Sequence, residues 1–519
     1  VRPVDYLDQA ASRYGSRVAL VDGQDRYTYA ALQALSTRIA AALRMGGLRC
    51  GDRVAAYCGN DPKVLLAMCG VMRAGAVWAP LNPGRVSADE NFSYLQLIQP
   101  THLFYQHRYA SLVAELQRRV PSLTTTVCLD GAGAGGPFYS DLLLGTGADA
   151  GRDDEWGDAR GNPAALVGIF QTGGSTGAPK AVMWDVMSFS RGIDALRASL
   201  DFDDASPICL NTMPLAHGAI SFAFAMLTLG ATQYIRPFSV EDVLQRLTGD
   251  GITHLLLPPS GVYALLANPA ATAAAYPALR CLKVSSAAIA PDRLKRAVEV
   301  FGGCVSTAYG QMETLMVSSL HKDVVAAAAR GDHPQRLHSC GRVVDSVMVA
   351  IMNEDGDLLP GGEGEIVVRG RGVSPGYFND PGATAHARRG GWHHTGDVGY
   401  VDEDGFLYVT GRIRDIIICG GYNIYAADVE KAIMAMGEVR ECAAIGVADE
   451  KFGEVVAAVV VWNGAAAPAP GEIVSHCLPR LSAMAVPRRV EFWPELPRTP
   501  LGKVDKMAIR RLLAGQYST

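Results

Sequence analysis

Short apolar runs alternate with Ala/Leu-rich amphipathic stretches through roughly the first 335 residues of this chain, and few folds admit that pattern. Ala30 to Met45 reads as a helix, Arg53 to Cys58 as a strand, and Pro62 to Arg73 as a helix stopped at Gly75. Val77 to Pro80, Thr101 to Tyr105 and Thr125 to Leu129 repeat the short apolar theme. The Gly/Ala/Asp-rich stretch from Gly131 to Asn162 reads as a surface loop. Strands then resume at Leu166–Phe170, Thr232–Ile235 and His254–Leu257, with helices at Val240–Leu247 and Pro291–Val300. Such alternation indicates parallel sheet covered by helices.

After about residue 335 the pattern changes. Val347–Ile351, Gly364–Val368 and Phe406–Val409 are short strands joined by Gly/Asp turns, as in a small barrel or mixed sheet. Ala426 to Met436 reads as a helix, and Ala443–Val447 can pair with Val455–Trp462, so the chain ends in a compact α+β unit. At 519 residues the chain needs several cores. The net charge of -5 gives no electrostatic case for nucleic acid. Eleven cysteines are scattered from Cys50 to Cys477 without a CxxC pair, which suits a reducing cytosol better than a disulfide framework or structural zinc. No secretory leader and no membrane-spanning run is evident, so the expected location is cytoplasmic, with no integral membrane segment.

The segment Thr172-Gly173-Gly174-Ser175-Thr176-Gly177-Ala178-Pro179-Lys180 follows the strand Leu166–Phe170. Glycines allow backbone N–H groups close approach to an anion, hydroxyls add donors, and lysine adds a mobile charge. The nucleotide-hydrolase phosphate loop is excluded by spacing. It needs Gly-Lys followed by Ser or Thr, whereas Ala178 and Pro179 separate Gly177 from Lys180, and Ala181 follows. Alone, a Gly/Ser/Thr run is more often a surface turn.

Five further segments follow in order: Tyr309-Gly310-Gln311-Met312-Glu313, Thr395-Gly396-Asp397, Gly411-Arg412-Ile413-Arg414-Asp415, Gly420-Gly421-Tyr422-Asn423-Ile424, and Pro497-Arg498-Thr499-Pro500-Leu501-Gly502-Lys503. With the Thr172–Lys180 loop they make the chain resemble, over essentially its whole length, the acyl-adenylate-forming enzymes of the AMP-binding superfamily. The pattern is most similar to stand-alone acyl-CoA synthetases.

The resemblance implies an α/β fold. A large N-terminal domain over 1–412 would comprise layered α/β subdomains (about 1–160 and 161–335) and a small barrel-like subdomain (336–412). A small mobile α+β domain over 413–519 would follow. It also implies an ATP-dependent carboxylic acid–CoA ligase that makes an acyl-AMP and releases pyrophosphate and AMP, with ATP, Mg²⁺ and coenzyme A. Free CoA is the simplest acceptor. A fatty-acyl-AMP ligase loading a separate acyl carrier protein is one alternative, and a catalytically silent AMP-binding regulator is another. Nothing in these motifs sets an oligomeric state.

Residue by residue, the resemblance assigns Thr172, Gly173, Gly174, Ser175, Thr176, Gly177 and Lys180 to the β- and γ-phosphates. Thr172 and Lys180 are counted with the catalytic groups. Tyr309 would stack on adenine, Glu313 would ligate Mg²⁺, Asp397 would accept the ribose hydroxyls, and Arg412 would face ribose or phosphate. Ala287 lies in the loop lining adenine and acid, His217 would lie beside the acid carboxylate, and Gly421 would admit the thin pantetheine arm. Lys503 would bridge carboxylate and α-phosphate, then leave as the small domain pivots at Arg414. A hard cation suits carboxylate oxygen, and a flat ring suits a base.

Several positions depart from the family. Met312 replaces a threonine whose hydroxyl contacts the AMP phosphate, a bond methionine cannot donate. Gln311 or Thr314 is the candidate replacement. Ala216 replaces an aromatic before His217, opening volume, while Ser286 and Ala287 replace two glycines, narrowing the cleft. Ala219 to Gly230 holds no Asp to meet an amino-acid ammonium, which favours a fatty or aromatic acid. His393 and His394 lack the further ligands zinc needs.

Overall fold

The computed structural model describes residues 2–81, 83, 88–131, 162–172, 180–200, 202, 206–273, 275–419, 422–449, 451–464, 466–498 and 503–515. The expected loop after Gly131, the glycine-rich run at 173–179 and Gly421 lie outside the described residues.

Among those residues the strands form three sheets. The longest starts at the edge strand Asp25–Thr28, antiparallel to Val18–Asp22, and runs through six parallel strands in the order Val18–Asp22, Thr232–Ile235, Ile208–Asn211, His254–Leu257, Cys281–Val284 and Val305–Tyr309. It continues through antiparallel strands Ser318–Leu320, Gly341–Val343, Phe406–Arg412, His393–Val401, Gly364–Arg369, Met348–Met352 and Leu358–Leu359. The expected small β unit is therefore an antiparallel extension of the parallel sheet. The second sheet orders Gly376–Tyr377, Lys180–Asp185, Leu166–Thr172, Val77–Pro80, Arg53–Tyr57, His102–Tyr105 and Thr125–Cys128.

Sheet membership does not divide near residue 160. Val18–Asp22 pairs in parallel with Thr232–Ile235, while Leu166–Thr172 pairs with Val77–Pro80. The two α/β layers thus exchange strands, and one apolar core runs between them. It gathers Leu20 and Cys209 from one sheet with Val54, Trp78 and Phe170 from the other. Helix Ala219–Thr228 is buried on every side from Ala219 to Leu227, which is why it shows no polar face. Gly70 lets helices Tyr29–Met45 and Pro62–Arg73 touch, since a Cβ there would stand 2.3 Å from Ile39 Cγ2. Trp184 lies between Phe170 and Phe189, with ring centroids 4.0 and 5.1 Å away. Burying aromatics of this size stabilises the fold by about 1.5–3 kcal/mol each.

The third sheet comprises Tyr422–Tyr425, Ile416–Cys419, Gly453–Trp462 and Val439–Asp449, with Arg489–Phe492 parallel to Gly453–Trp462. The expected pairing of Ala443–Val447 with Val455–Trp462 sits inside a longer antiparallel hairpin. Helices Ala426–Met434 and Pro470–Cys477 cover one face through Val429, Ile433 and Ile473. Helix Lys506–Gly515 covers the other, where Ile509 and Leu513 meet Ala443, Ile445 and Val459. Among the described residues no disulfide joins the cysteines, and no helix is long and apolar enough to cross a membrane.

Gly341 packs its backbone closely on Ser318–Leu320, the first strand of the antiparallel extension. Its φ is +91°, and a Cβ would fall 2.0 Å from the Ser319 carbonyl carbon. Gly341→Ala should therefore lower unfolding free energy by roughly 3 kcal/mol, combining left-handed strain with overpacking. Denaturant unfolding checks this, and wild-type stability would contradict the close approach.

Candidate active site

Parallel strands end by turning their last residues and following loops to one edge of the sheet. Three such ends carry chemistry here. Ile208–Asn211 leads into the turn holding His217, Cys281–Val284 leads into Ser285–Ala288, and Val305–Tyr309 leads into Gln311–Glu313. The antiparallel hairpin adds Asp397 from His393–Val401 and Arg412 from Phe406–Arg412, directly opposite each other in register.

Asp397 is 2% exposed, so its charge requires partners. Oδ1 lies 2.8 Å from Arg412 Nε. Oδ2 accepts Tyr309 Oη–H at 2.7 Å and Gln311 Nε2–H at 2.8 Å. Gln311 Nε2 also donates to the Thr395 carbonyl at 2.9 Å, and Thr395 Oγ1 accepts the Asp397 N–H at 3.1 Å. Burial and then the Asp397 charge push the Tyr309 phenol well above its ordinary range, so it remains a donor.

Glu365 shapes the turn beneath this carboxylate. Its Oε1 accepts the Gly396 N–H at 3.1 Å, and its Oε2 lies 2.7 Å from His394 Nδ1. His394 thus shares a hydrogen bond with a carboxylate. Burial, reinforced by Arg388 and His394, lowers His393 to about 4. Among the described residues no group of three potential metal ligands occurs.

A second chain of contacts runs through Tyr377, which sequence reasoning missed. Its hydroxyl donates to Glu313 Oε1 at 2.8 Å, and Lys180 Nζ stands 4.9 Å from its ring centroid. Thr172 and Lys180 face each other as the last described pair of an antiparallel ladder, so residues 173–179 connect the two strands. Strand Lys180–Asp185 was not anticipated either. Trp184 on it donates Nε1–H to the Met312 carbonyl at 2.8 Å, tying the two motifs together. The signal was the continuous apolar run Ala181–Trp184 after Lys180, masked by its proximity to glycine and proline.

The proposed substitutes for the missing threonine hydroxyl are committed elsewhere. Gln311 serves Asp397, while Thr314 is buried and its Oγ1 accepts the Gln311 N–H at 3.2 Å. Met312 packs its side chain against the main core.

His217 is half-buried, and its N–H donates to the Pro214 carbonyl at 3.3 Å. Asn60 holds this turn. Its Oδ1 accepts the Leu215 N–H at 3.0 Å, and its Nδ2 donates to the Met213 carbonyl at 2.8 Å. In the 285–288 loop, Ser286 keeps a glycine-like φ of +79°. The added β-carbon is accommodated by retaining a left-handed backbone, and Ser286, Ala287 and Ala288 are exposed.

Lys503 arrives from the far end of the chain. It is exposed, and its pKa is lowered, first by desolvation and next by repulsion from Arg412. Asp397 and Glu313 act in the opposite sense, so Lys503 lies within electrostatic reach of both acidic groups. Arg412 and Lys503 together supply positive charge of the kind a polyanion requires.

A model of the AMP-binding enzyme family matches residues 7–378, and one of the AMP-binding enzyme C-terminal domain matches residues 428–503. The chain belongs to the AMP-binding enzyme family. Asp397 and Arg412 fall between the two matched segments of this AMP-binding enzyme, and Lys503 is the last matched residue. Indoleacetate–CoA ligase of Aromatoleum aromaticum is 32% identical and covers 98% of each chain. Medium/long-chain-fatty-acid–CoA ligase FadD8 of Mycobacterium tuberculosis is 31% identical over 96% of this chain and 88% of its own. The amide bond synthetase McbA of Marinactinospora thermotolerans superposes with a TM-score of 0.88 at 28% identity, covering 98% of this chain and 99% of that one.

Replacing Ser286 with glycine removes the left-handed strain without removing a packed side chain. Ser286→Gly should raise stability by about 0.5–1 kcal/mol, read from chemical denaturation. A less stable variant would mean that the serine makes a compensating contact.

Proposed function

We propose that this AMP-binding enzyme is an acid–thiol ligase that activates a carboxylic acid with ATP and transfers the acyl group to coenzyme A. The observation that carries this reading is the electrostatic reach of Lys503 to Arg412, Asp397 and Glu313, groups from segments far apart in the chain. A carboxylate oxygen attacks the α-phosphorus, the bond to the β-phosphate oxygen breaks, and pyrophosphate leaves. The thiol sulfur then attacks the acyl carbon, its proton is lost, and AMP leaves.

Asp397 would accept the ribose hydroxyls chiefly at Oδ1, which carries one donor against the two on Oδ2. Tyr309, anchored through its hydroxyl, would offer its ring to adenine. Lys180 and the residues from Thr172 to Gly177 would take the β- and γ-phosphates, and Lys503 would neutralise charge between carboxylate and α-phosphate. His217 would border the acid, and Gly421 the pantetheine path. Glu313 fits Mg²⁺: Tyr377 occupies Oε1, Oε2 is a hard oxygen donor, and one carboxylate plus phosphate oxygens suffices for this ion. Bound there, Mg²⁺ would neutralise phosphate charge.

The helix Ala219–Thr228 beside His217 is apolar and buried, with no carboxylate to receive an ammonium. This supports a fatty or aromatic acid, as does the similarity to an indoleacetate ligase and a fatty-acid ligase. Units over 1–412 and 413–519 would meet at the exposed turn Ile413–Asp415, where Arg414 is the proposed pivot. Rotation there would withdraw Lys503 and open the thiol path.

The test is acid-dependent exchange of labelled pyrophosphate into ATP across fatty and aromatic acids, followed by CoA-dependent AMP release. Exchange with neither class, despite tight ATP binding, would overturn the ligase reading. Lys503→Ala should slow acyl-AMP formation about 10²–10³-fold and spare thiolation of supplied acyl-AMP. Because burial and Arg412 lower the Lys503 pKa, its protonated form is lost at lower pH than for an ordinary lysine. The alkaline limb of kcat/KM for ATP should begin correspondingly early and shift upward in Lys503→Arg. An unshifted limb would assign it to another group.

Glu313→Gln preserves size and removes one charge. It should raise the Mg²⁺ concentration needed for half-maximal adenylation, measured by magnesium titration of the exchange rate. A wild-type profile would remove Glu313 from the metal role.

A further inference from the structure

Lys503 directly precedes Val504 at the start of the last described stretch of the chain. Arg498 and Val504 form an antiparallel bridge, and the Asp505 N–H donates to the Pro497 carbonyl at 2.8 Å. Three residues later, Lys506 opens the terminal helix and turns its ammonium toward two carboxylates. Nζ lies 2.7 Å from Glu430 Oε1 and 3.9 Å from Asp415 Oδ2.

Those two acids come from different parts of the small domain. Asp415 belongs to the turn Ile413–Asp415 and directly follows the proposed pivot Arg414. Glu430 belongs to helix Ala426–Met434, which packs on the sheet face opposite the terminal helix. Glu430 Oε1 also accepts the Ala444 N–H at 2.8 Å, from the strand Val439–Asp449 at the end of the sheet order. Lys506 therefore spans from one face of the sheet to the other around that strand. Its side chain is 20% exposed and that of Glu430 is 23%, so the pair is not a solvated surface bridge whose loss would pass unnoticed.

We propose that Lys506 is a positioning residue for the first half-reaction: by bridging Asp415 and Glu430 it fastens the Lys503 segment to the pivot end of the small domain. Rotation about Arg414 then delivers Lys503 to one place above Asp397 and Glu313. Without the bridge, the terminal helix still packs through Ile509 and Leu513, but the segment ahead of it is no longer tied to the pivot. This inference rests on the ligase reading above.

Lys506→Met keeps the aliphatic stem and removes the charge. Acid-dependent pyrophosphate exchange should fall about 10–100-fold, because displacing a catalytic group by about 1 Å costs up to that much. Thiolation of acyl-AMP supplied ready-made should stay near the wild-type rate. Lys506→Arg, which retains the charge, should recover most of the exchange. In a Lys503→Ala background, Lys506→Met should add no further loss, since no lysine is left to position, whereas general damage to the domain would add. Glu430→Gln breaks the same pair with little change of shape and should give the same split, which covers the case in which Lys506→Met does not fold.

Unchanged exchange in Lys506→Met or Glu430→Gln, equal loss of both half-reactions, or additive loss beyond Lys503→Ala would each overturn the positioning role. Any of these with normal wild-type exchange leaves the ligase reading standing. Absence of exchange in the wild-type protein with every acid would overturn both.

Discussion

The buried carboxylate of Asp397 is the constraint on which the site depends. An ionised group at 2% exposure persists only where donors converge on it, and each donor here comes from a different segment. Arg412 lies across the hairpin, Tyr309 ends a parallel strand, and Gln311 belongs to the loop that follows. Satisfying one charge therefore fixes the antiparallel extension against the parallel sheet. Glu365 secures the turn beneath it through Gly396. The proposed ribose contact comes from a group already rigid before nucleotide arrives, so little ordering is left for binding to accomplish.

Around that fixed point the remaining groups are arranged by reach. Glu313 and Lys180 meet through Tyr377, whose own strand Gly376–Tyr377 pairs with Lys180–Asp185. Lys503 lies just ahead of the terminal helix, in the unit built on the third sheet, and reaches the site electrostatically. The role proposed for Lys503, serving one half-reaction and withdrawing for the next, suits a mobile carrier. The base of that carrier is stiffened by Lys506, Glu430 and Asp415. Stiffness within the small domain and freedom at the turn before it are complementary requirements of one moving lysine.

The departures from the family pattern read differently once packed. Met312 contributes to the core and leaves its carbonyl to Trp184, so its role is structural where threonine would offer a hydroxyl. Ser286 keeps the backbone a glycine would adopt, storing strain in an exposed loop beside the site.

Sequence alone determined the alternation that makes a parallel sheet, because apolar periodicity is local and survives without coordinates. It also determined the ordered motifs that carry the family resemblance, including Glu313, Asp397, Arg412 and Lys503. It did not disclose Tyr377, Glu365, Asn60 or the clamp at Lys506. None lies in a recognisable motif, and each acts through a partner distant in the chain. The exchange of strands between the two sheets was equally hidden, because Val18–Asp22 and Leu166–Thr172 look alike as apolar runs. Only tertiary structure decides which ladder such a strand joins, since that choice depends on which edge and which apolar faces are brought to it.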